Sequence, residues 1–553
     1  MTNNELREIV ADRVRTGDRH VLKTVREWKT AEGRFKAFYF RAEVCCGQAV
    51  PVYAVLGVPA GRGPFPGILH FHGGGQTANP YLVEAMVRHG YVGLSFDWTG
   101  PAEQREDVTR WHGAGPVRYS GVEPDHAYLA RALTAGRQCI SLLAEQPQVD
   151  PERLGEFGIS WGGFLTWLLN AVDDRIKAAV AIYGCGITRN QARFYFRDEV
   201  RQSGSFNEKR WFELYHPANY ARCQHAPVLF VNGTNDFFGW MNNYRLLARR
   251  LDVRHRCAFA PHFNHAVGTL SPTILAWLDH HLRGGPFPEA PRLEIERQAA
   301  ALRLRSPRLP GAQSSTFYVA TDTGIGPDLF WHPYVSESRG REFSVKIPWT
   351  ELPCRRLLAF VHQRWADGLE LSSVPARSEG EPASATGAVR TAAEAPFPLT
   401  PEFWQGAAPV DPFYPYVPLG HDTAAPGPTW EVTEGGGLAY QFNTRLVAEA
   451  RWRPALQQRF YCRLDGPVQE PVTVAFLCYA GSPREQRFQG DFPLAALASG
   501  IRLDELKGTD SRGLRSGRKL SHLYVGGKAA RPGVVRLLAA GWRLQPRTYR
   551  SAI

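Results

Sequence analysis

Arg153-Leu154-Gly155-Glu156-Phe157-Gly158-Ile159-Ser160-Trp161-Gly162-Gly163 reads as a buried strand that runs into a sharp turn. Phe164-Leu165-Thr166-Trp167-Leu168-Leu169 reads as the helix that follows. Gly158, Ser160 and Gly162 give the pattern G-x-S-x-G, and Gly163 extends it. A serine at the tip of so tight a turn holds a strained backbone, and side chains two before or two after it would collide. The turn leaves its hydroxyl exposed at a helix N-terminus, where free N–H groups and partial positive charge suit a developing oxyanion.

Working outward, short apolar runs alternate with amphipathic ones. Phe35 to Val58 reads as a hairpin turning at Cys46-Gly47-Gln48. Strands are expected at 67–71, 92–96, 176–183, 227–231 and 256–261. Helices are expected at 82–88, 125–146 and 241–251, with a last one beginning at His265. In the second of these, Leu129, Leu133, Gly136, Ile140 and Leu143 form the stripe of a helix lying on a sheet. Residues 1–30 read as a polar helix and linker, 100–123 as a long polar loop, and 185–225 as a helical insertion. Residues 31–288 are therefore expected to be an α/β domain: a mostly parallel sheet with helices on both faces. In such sheets the site lies beyond the carboxyl ends of the strands. His72, Asp97, Ser160, Asp236 and His265 all follow expected strands.

After Gly285 the alternation stops. Residues 291–553 carry β-type runs such as Thr316 to Ala320, Leu357 to Val361, Val472 to Leu477 and Val534 to Leu538. An all-β sandwich or jelly roll is expected there, with a flexible loop near 376–395. No apolar run approaches the roughly 20 residues of a membrane helix, and the polar start has no secretory apolar core. Nine cysteines without framework spacing suit reduced thiols and a cytoplasmic location. The chain carries net charge +12; between Ile501 and Arg550 nine Arg and three Lys face three acidic residues. No nucleic-acid motif accompanies that charge, so a solvated Arg-rich surface is expected rather than a nucleic-acid partner. No Cys/His spacing suggests a metal, and no motif suggests a cofactor.

A serine hydroxyl needs a base, and the base needs an orienting carboxylate. Ser160, Asp236 and His265 supply nucleophile, acid and base in chain order at successive strand ends. His262 competes with His265, which is preferred because it abuts the final helix, with Asn264 able to hold the loop. His72-Gly73-Gly74-Gly75 would let backbone N–H groups approach a substrate oxygen; Gly74, with Gly73 as alternative, joins the N–H of Trp161 as the expected oxyanion hole. Trp98, Trp111, Phe237 and Trp240 are candidate substrate-pocket residues, either sugar-stacking platforms or apolar pocket wall.

The segments His70-Phe71-His72-Gly73-Gly74-Gly75, Asp150-Pro151-Glu152-Arg153-Leu154-Gly155, Gly158-Ile159-Ser160-Trp161-Gly162-Gly163 and Asn232-Gly233-Thr234-Asn235-Asp236 carry a resemblance. The first 285 or so residues resemble the α/β-hydrolase superfamily, in the group of dienelactone hydrolases, acetyl xylan esterases and prolyl-oligopeptidase-type peptidases. The resemblance implies a serine hydrolase without cofactor. Serine at the elbow, where dienelactone hydrolases use cysteine, argues against their substrate. The lack of a propeller or large cap before the domain favours an esterase acting on a small-molecule or carbohydrate ester. The β-rich half resembles in architecture the jelly roll trailing the hydrolase domain of X-prolyl dipeptidyl peptidases and cocaine-esterase-like enzymes. Two other readings stand: a serine peptidase, and a glycan- or partner-binding protein with a vestigial hydrolase domain.

Overall fold

Apolar side chains at consecutive positions, not alternate ones, mark the strands at the centre of this protein, because helices cover both faces there. The computed structural model describes residues 4–98, 109, 120–123, 127–184, 207–234, 236, 238–261, 265, 270–321, 331–349, 357–378, 394–396, 404–406, 417–418, 420–421, 428–432, 437–442, 456–478, 486–502, 505–508 and 520–546. The first half runs α1 (Asn4–Thr16), β1 (Val21–Lys29), β2 (Gly33–Cys45), β3 (Gln48–Pro59), β4 (Phe65–Phe71), α2 (Pro80–Arg88), β5 (Val92–Phe96) and α3 (Tyr128–Ala144). It continues with β6 (Val149–Ile159), α4 (Trp161–Val172), β7 (Ile176–Ile182), α5 (Glu208–Tyr215), β8 (Val228–Gly233), α6 (Met241–Ala248), β9 (His255–Ala260) and α7 (Pro272–Arg283). Strands β5-β4-β6-β7-β8-β9 pair in parallel, and β3, β2 and β1 extend them antiparallel at one side. This is the expected α/β sheet, and α3 and α4 are buried along most of their lengths against it.

Three details differ from the expectations. Residues 21–29, read as linker, form β1, paired to β2 from Val21↔Phe40 to Lys29↔Arg34. Nearly every β1 side chain is exposed, so no buried face imposes the alternation that betrays a strand. The last helix begins at Pro272, not at His265, because the Ser271 side chain caps it by accepting from the Ile274 N–H. Within the loop expected near 376–395, Ala376–Ser378 and Glu394–Pro396 are short strands. Most of the 100–123 loop and residues 185–206 lie outside the described residues.

The β-rich half begins with β10 (Glu294–Arg297), β11 (Ala301–Pro307), β12 (Ser314–Thr321), β13 (His332–Val335), β14 (Glu337–Arg339), β15 (Glu342–Pro348), β16 (Leu357–Arg364) and β17 (Glu370–Ser372). Strands β17-β16-β12-β13 join the edge of β9 through Ser372↔Cys257, so the α/β sheet and this segment are one sheet. The core follows: Phe259 meets Phe360 edge-on at 5.8 Å, and Leu369 and Leu371 belong to the same buried cluster as Phe230 and Trp277. Strands β10, β11, β15 and β14 make a separate four-stranded sheet, and residues 394–546 supply two larger antiparallel sheets. Phe460 of one of these meets Phe476 of the other at 5.6 Å.

Candidate active site

Ser160 occupies the turn between β6 and α4 with φ 60° and ψ −122°, a region that non-glycine residues rarely adopt. Its N–H donates to Ile182 O at 2.9 Å, and its carbonyl accepts from Phe164 N at 3.0 Å. The surrounding glycines are each required by a backbone carbonyl. A Cβ on Gly158 would stand 2.3 Å from Gly162 O, one on Gly162 2.2 Å from Phe71 O, and one on Gly163 2.2 Å from Ile182 O. The elbow thus sits at the first turn of a 12-residue helix, with Ser160 half-buried.

Asp236 and His265 meet after β8 and β9. Asp236 is buried; its Oδ1 accepts the N–H groups of Phe238, at 2.7 Å, and Gly239, which leaves Oδ2 for His265 Nδ1 at 2.5 Å. A carboxylate only accepts, so Nδ1 donates this bond and a neutral imidazole presents Nε2 as an acceptor. The loop is fixed from beneath by Asn232, whose Nδ2 donates to Gly233 O at 2.7 Å and Gly239 O at 2.6 Å. Tyr244 Oη donates to Asn232 Oδ1 at 3.0 Å.

Contacts bring this pair to the elbow. The strand that receives the Ser160 N–H at Ile182 continues into Tyr183, whose ring stacks on His265 with centroids 4.1 Å apart. Trp161 packs edge-on against Phe238 at 5.1 Å, and Phe238 in turn meets His265 at 6.1 Å. His265 keeps 13% of its side chain exposed, beside a fully buried Asp236 carboxylate. His262 and Asn264 lie outside the described residues.

The glycine loop after β4 is held by a second histidine. His72 Nδ1 donates to Gly73 O at 2.7 Å, and Nε2 faces the Trp98 N–H at 3.3 Å and Asp97 Oδ1 at 3.3 Å. Trp98 stacks on His72 at 5.2 Å and donates its indole N–H to His72 O at 3.0 Å. Trp98 is fully buried, so it supports the loop from below and does not wall a pocket, contrary to expectation. The Gly73 N–H is engaged by Gln76 Oε1 at 3.0 Å, whereas Gly74 is exposed. Trp240 is mostly buried at the start of α6 with 9% exposure, and Trp111 and Phe237 lie outside the described residues. Nothing in the sequence marks Tyr183 or Gln76 for these contacts, whereas Asn232 has a signal in the Asn-Gly-Thr-Asn-Asp run. Among the described residues no group of three or more His, Cys, Asp or Glu could hold a metal ion. No helix among them is long and apolar enough to cross a membrane.

Two family models match. Prolyl oligopeptidase family covers residues 137–284, and acetyl xylan esterase (AXE1) covers residues 30–189. The matches overlap across the Ser160 elbow and together span the parallel sheet. The chain belongs to the α/β-hydrolase superfamily. This α/β hydrolase is 26% identical over 159 residues to acyl-coenzyme A thioesterase 3 of Mus musculus, covering 29% of this chain and 32% of that protein. It is 26% identical over 249 residues to the uncharacterized peptidase YuxL of Bacillus subtilis, covering 40% of this chain and 35% of that one. The chain thus spans about a third of the length of these curated relatives. Among solved structures, acetyl xylan esterase 1 from Thermoanaerobacterium sp. JW/SL YS485 is similar with TM-score 0.41 at 16% identity, over 48% of this chain and 89% of that one. The families matched are hydrolases of esterase and peptidase type.

Proposed function

We propose that this α/β hydrolase is a serine esterase that works through an acyl-enzyme. Ser160 Oγ attacks the ester carbonyl while His265 Nε2 takes the hydroxyl proton. Asp236 keeps the imidazole oriented through Nδ1 and stabilises the imidazolium as it forms. The N–H groups of Trp161 and Gly74 receive the oxyanion, a donor of this kind contributing about 3 kcal/mol to barrier lowering. The alcohol leaves with the proton held on His265, and water repeats the sequence to release the acid. The observation that carries this reading is the 2.5 Å Asp236–His265 contact held beside a strained serine elbow by Tyr183 and Phe238. Gly74 is preferred to Gly73 because Gln76 already takes the Gly73 N–H.

The acetyl xylan esterase match supports a short acyl group on a carbohydrate or other small alcohol as substrate. A fluorophosphonate probe is expected to label the wild type at Ser160 and not Ser160→Ala. p-Nitrophenyl acetate and acetylated xylo-oligosaccharides are expected to be cleaved, and turnover that survives in Ser160→Ala refutes the assignment. The prolyl oligopeptidase match over 137–284 favours a second reading, peptide cleavage at the same serine. Turnover of dipeptide amides, with acetyl esters left intact, selects it.

A further inference from the structure

We infer that Tyr183 is a positioning residue whose ring face stabilises the protonated imidazole of His265, an inference that rests on the reading of His265 as the base. Three observations converge on Tyr183. It is fully buried, so its ring is not a contact for solvent. Its backbone is at φ 63°, a conformation that is an outlier for an aromatic residue and that proteins retain where surrounding structure enforces it. Its ring lies 4.1 Å from the His265 ring at an interplanar angle of 27°, a face-to-face arrangement.

The backbone strain has an identifiable source. Ile182 O is engaged by the Ser160 N–H, and Tyr183 N donates to Val231 O at 3.0 Å. The next residue, Gly184, runs so close to α4 that a Cβ would stand 2.1 Å from Gly163 O. The chain must therefore bend sharply between the elbow and β8, and Tyr183 is where it bends. That bend delivers the ring beneath His265.

An aromatic face attracts a cation placed over it and does little for a neutral ring. His265 is neutral before Ser160 attacks and positive once it holds the proton. The contact strengthens as charge develops, and only such interactions lower the barrier. Asp236 meets the imidazole at Nδ1, Tyr183 covers one face, and the uncharged ring of Phe238 stands at a steep angle to it. Asp236 stabilises the imidazolium along the ring plane, and Tyr183 does so perpendicular to it.

The test compares Tyr183→Phe, which keeps the ring face, with Tyr183→Leu, which removes it. Tyr183→Phe is expected to retain wild-type kcat on p-nitrophenyl acetate. Tyr183→Leu is expected to lower kcat about tenfold, with KM within about twofold, and to move the acid limb of kcat/KM down by about one pH unit. Should Tyr183→Leu fail to fold, Tyr183→Asn, which tolerates the left-handed backbone, takes its place with the same expectation. A folded ring-less variant whose acid limb and kcat match wild type overturns the inference, as does a Tyr183→Phe as damaged as Tyr183→Leu. A wild type that the fluorophosphonate probe does not label sinks the esterase reading and this inference with it. A labelled wild type with an unchanged ring-less variant sinks only the role of Tyr183.

Discussion

Replacing Ser372 with alanine is expected to weaken the strand that leads to His265. Ser372 is buried at the join between β9 and β17. Its Oγ accepts the Phe259 N–H at 3.1 Å and bonds His362 Nδ1 at 2.9 Å. Two residues away, Glu370 N donates to Thr273 Oγ1 at 2.9 Å, in the first turn of α7. β9 ends at Ala260 and α7 begins at Pro272, so residues 370–372 grip both ends of the loop that carries His265. Ser372→Ala adds no atom, yet it strands the Phe259 N–H in a buried position, which costs about 1–3 kcal/mol. Taking about 2 kcal/mol, the Tm is expected to fall by about 4 °C. Because Phe259 pairs with Asn232, and Ala260 with Gly233, the disturbance reaches the Asp236 loop, and kcat for the ester is expected to fall severalfold. Ser373→Ala is the control. Ser373 Oγ accepts the Val361 N–H at 3.1 Å, wholly within the sheet extension. It is expected to cost similar stability with kcat unchanged. Differential scanning calorimetry and ester turnover well below the Tm read both quantities. A Ser372→Ala protein that melts with the wild type, or a Ser373→Ala protein that loses equal activity, refutes the reasoning.

Three further substitutions bear on the elbow, the carboxylate proposed to orient His265, and the core. Gly162→Ala places a methyl 2.2 Å from Phe71 O and 2.5 Å from His72 O, both immovable backbone, so loss of more than about 3 kcal/mol or of soluble expression is expected; a variant with wild-type Tm contradicts the elbow geometry. Asp236→Asn is expected to lower kcat by about 10³- to 10⁴-fold with KM little changed, because an amide can present its N–H to His265 and select the wrong tautomer; turnover within tenfold of wild type argues against the assigned role. Glu156, fully buried in β6 with neither carboxylate oxygen hydrogen-bonded, has its pKa raised well above the ordinary carboxylate range, by burial first and the nearby Asp173 second. It holds its proton when folded and loses it when unfolded, so its contribution is fully present below the ordinary carboxylate range and is lost as pH rises toward the folded pKa. Urea unfolding from pH 5 to 8 is expected to show wild type losing stability relative to Glu156→Gln by about 1.4 kcal/mol per pH unit until the carboxyl ionises. Parallel curves for the two proteins exclude a protonated Glu156.

What the sequence announces is local, and what it conceals depends on distant chain. The elbow is announced because its glycines are demanded by carbonyls met within a few residues or on the adjacent strand, so the requirement leaves a compact pattern. The strand ends at Phe71, Phe96, Ile159, Gly233 and Ala260 are announced for the same reason: each apolar run stops where a polar loop begins. Asp236 and His265 follow from those ends once the sheet is assumed parallel, and their contact needs only the correct strand order. Strand β17 has no such signature. Three residues cannot display a period, and Glu370-Leu371-Ser372 becomes a strand because β16 pairs with all three residues and the edge of β9 meets Ser372. Trp98 reads as a pocket aromatic beside a strand end until the loop after β4 is seen folding over it. Tyr183 is the sharpest case. Ile-Tyr-Gly is an unexceptional end to an apolar strand, and nothing in it signals the left-handed turn at Tyr183, beside a Gly184 that leaves no room for a Cβ next to Gly163 O. The aromatic that meets the imidazole is thus placed by the same close approach of α4 to β7 that forces Gly163. The close packing of α4 on β7 thus lies beside both the serine elbow and the residue whose ring stacks on His265.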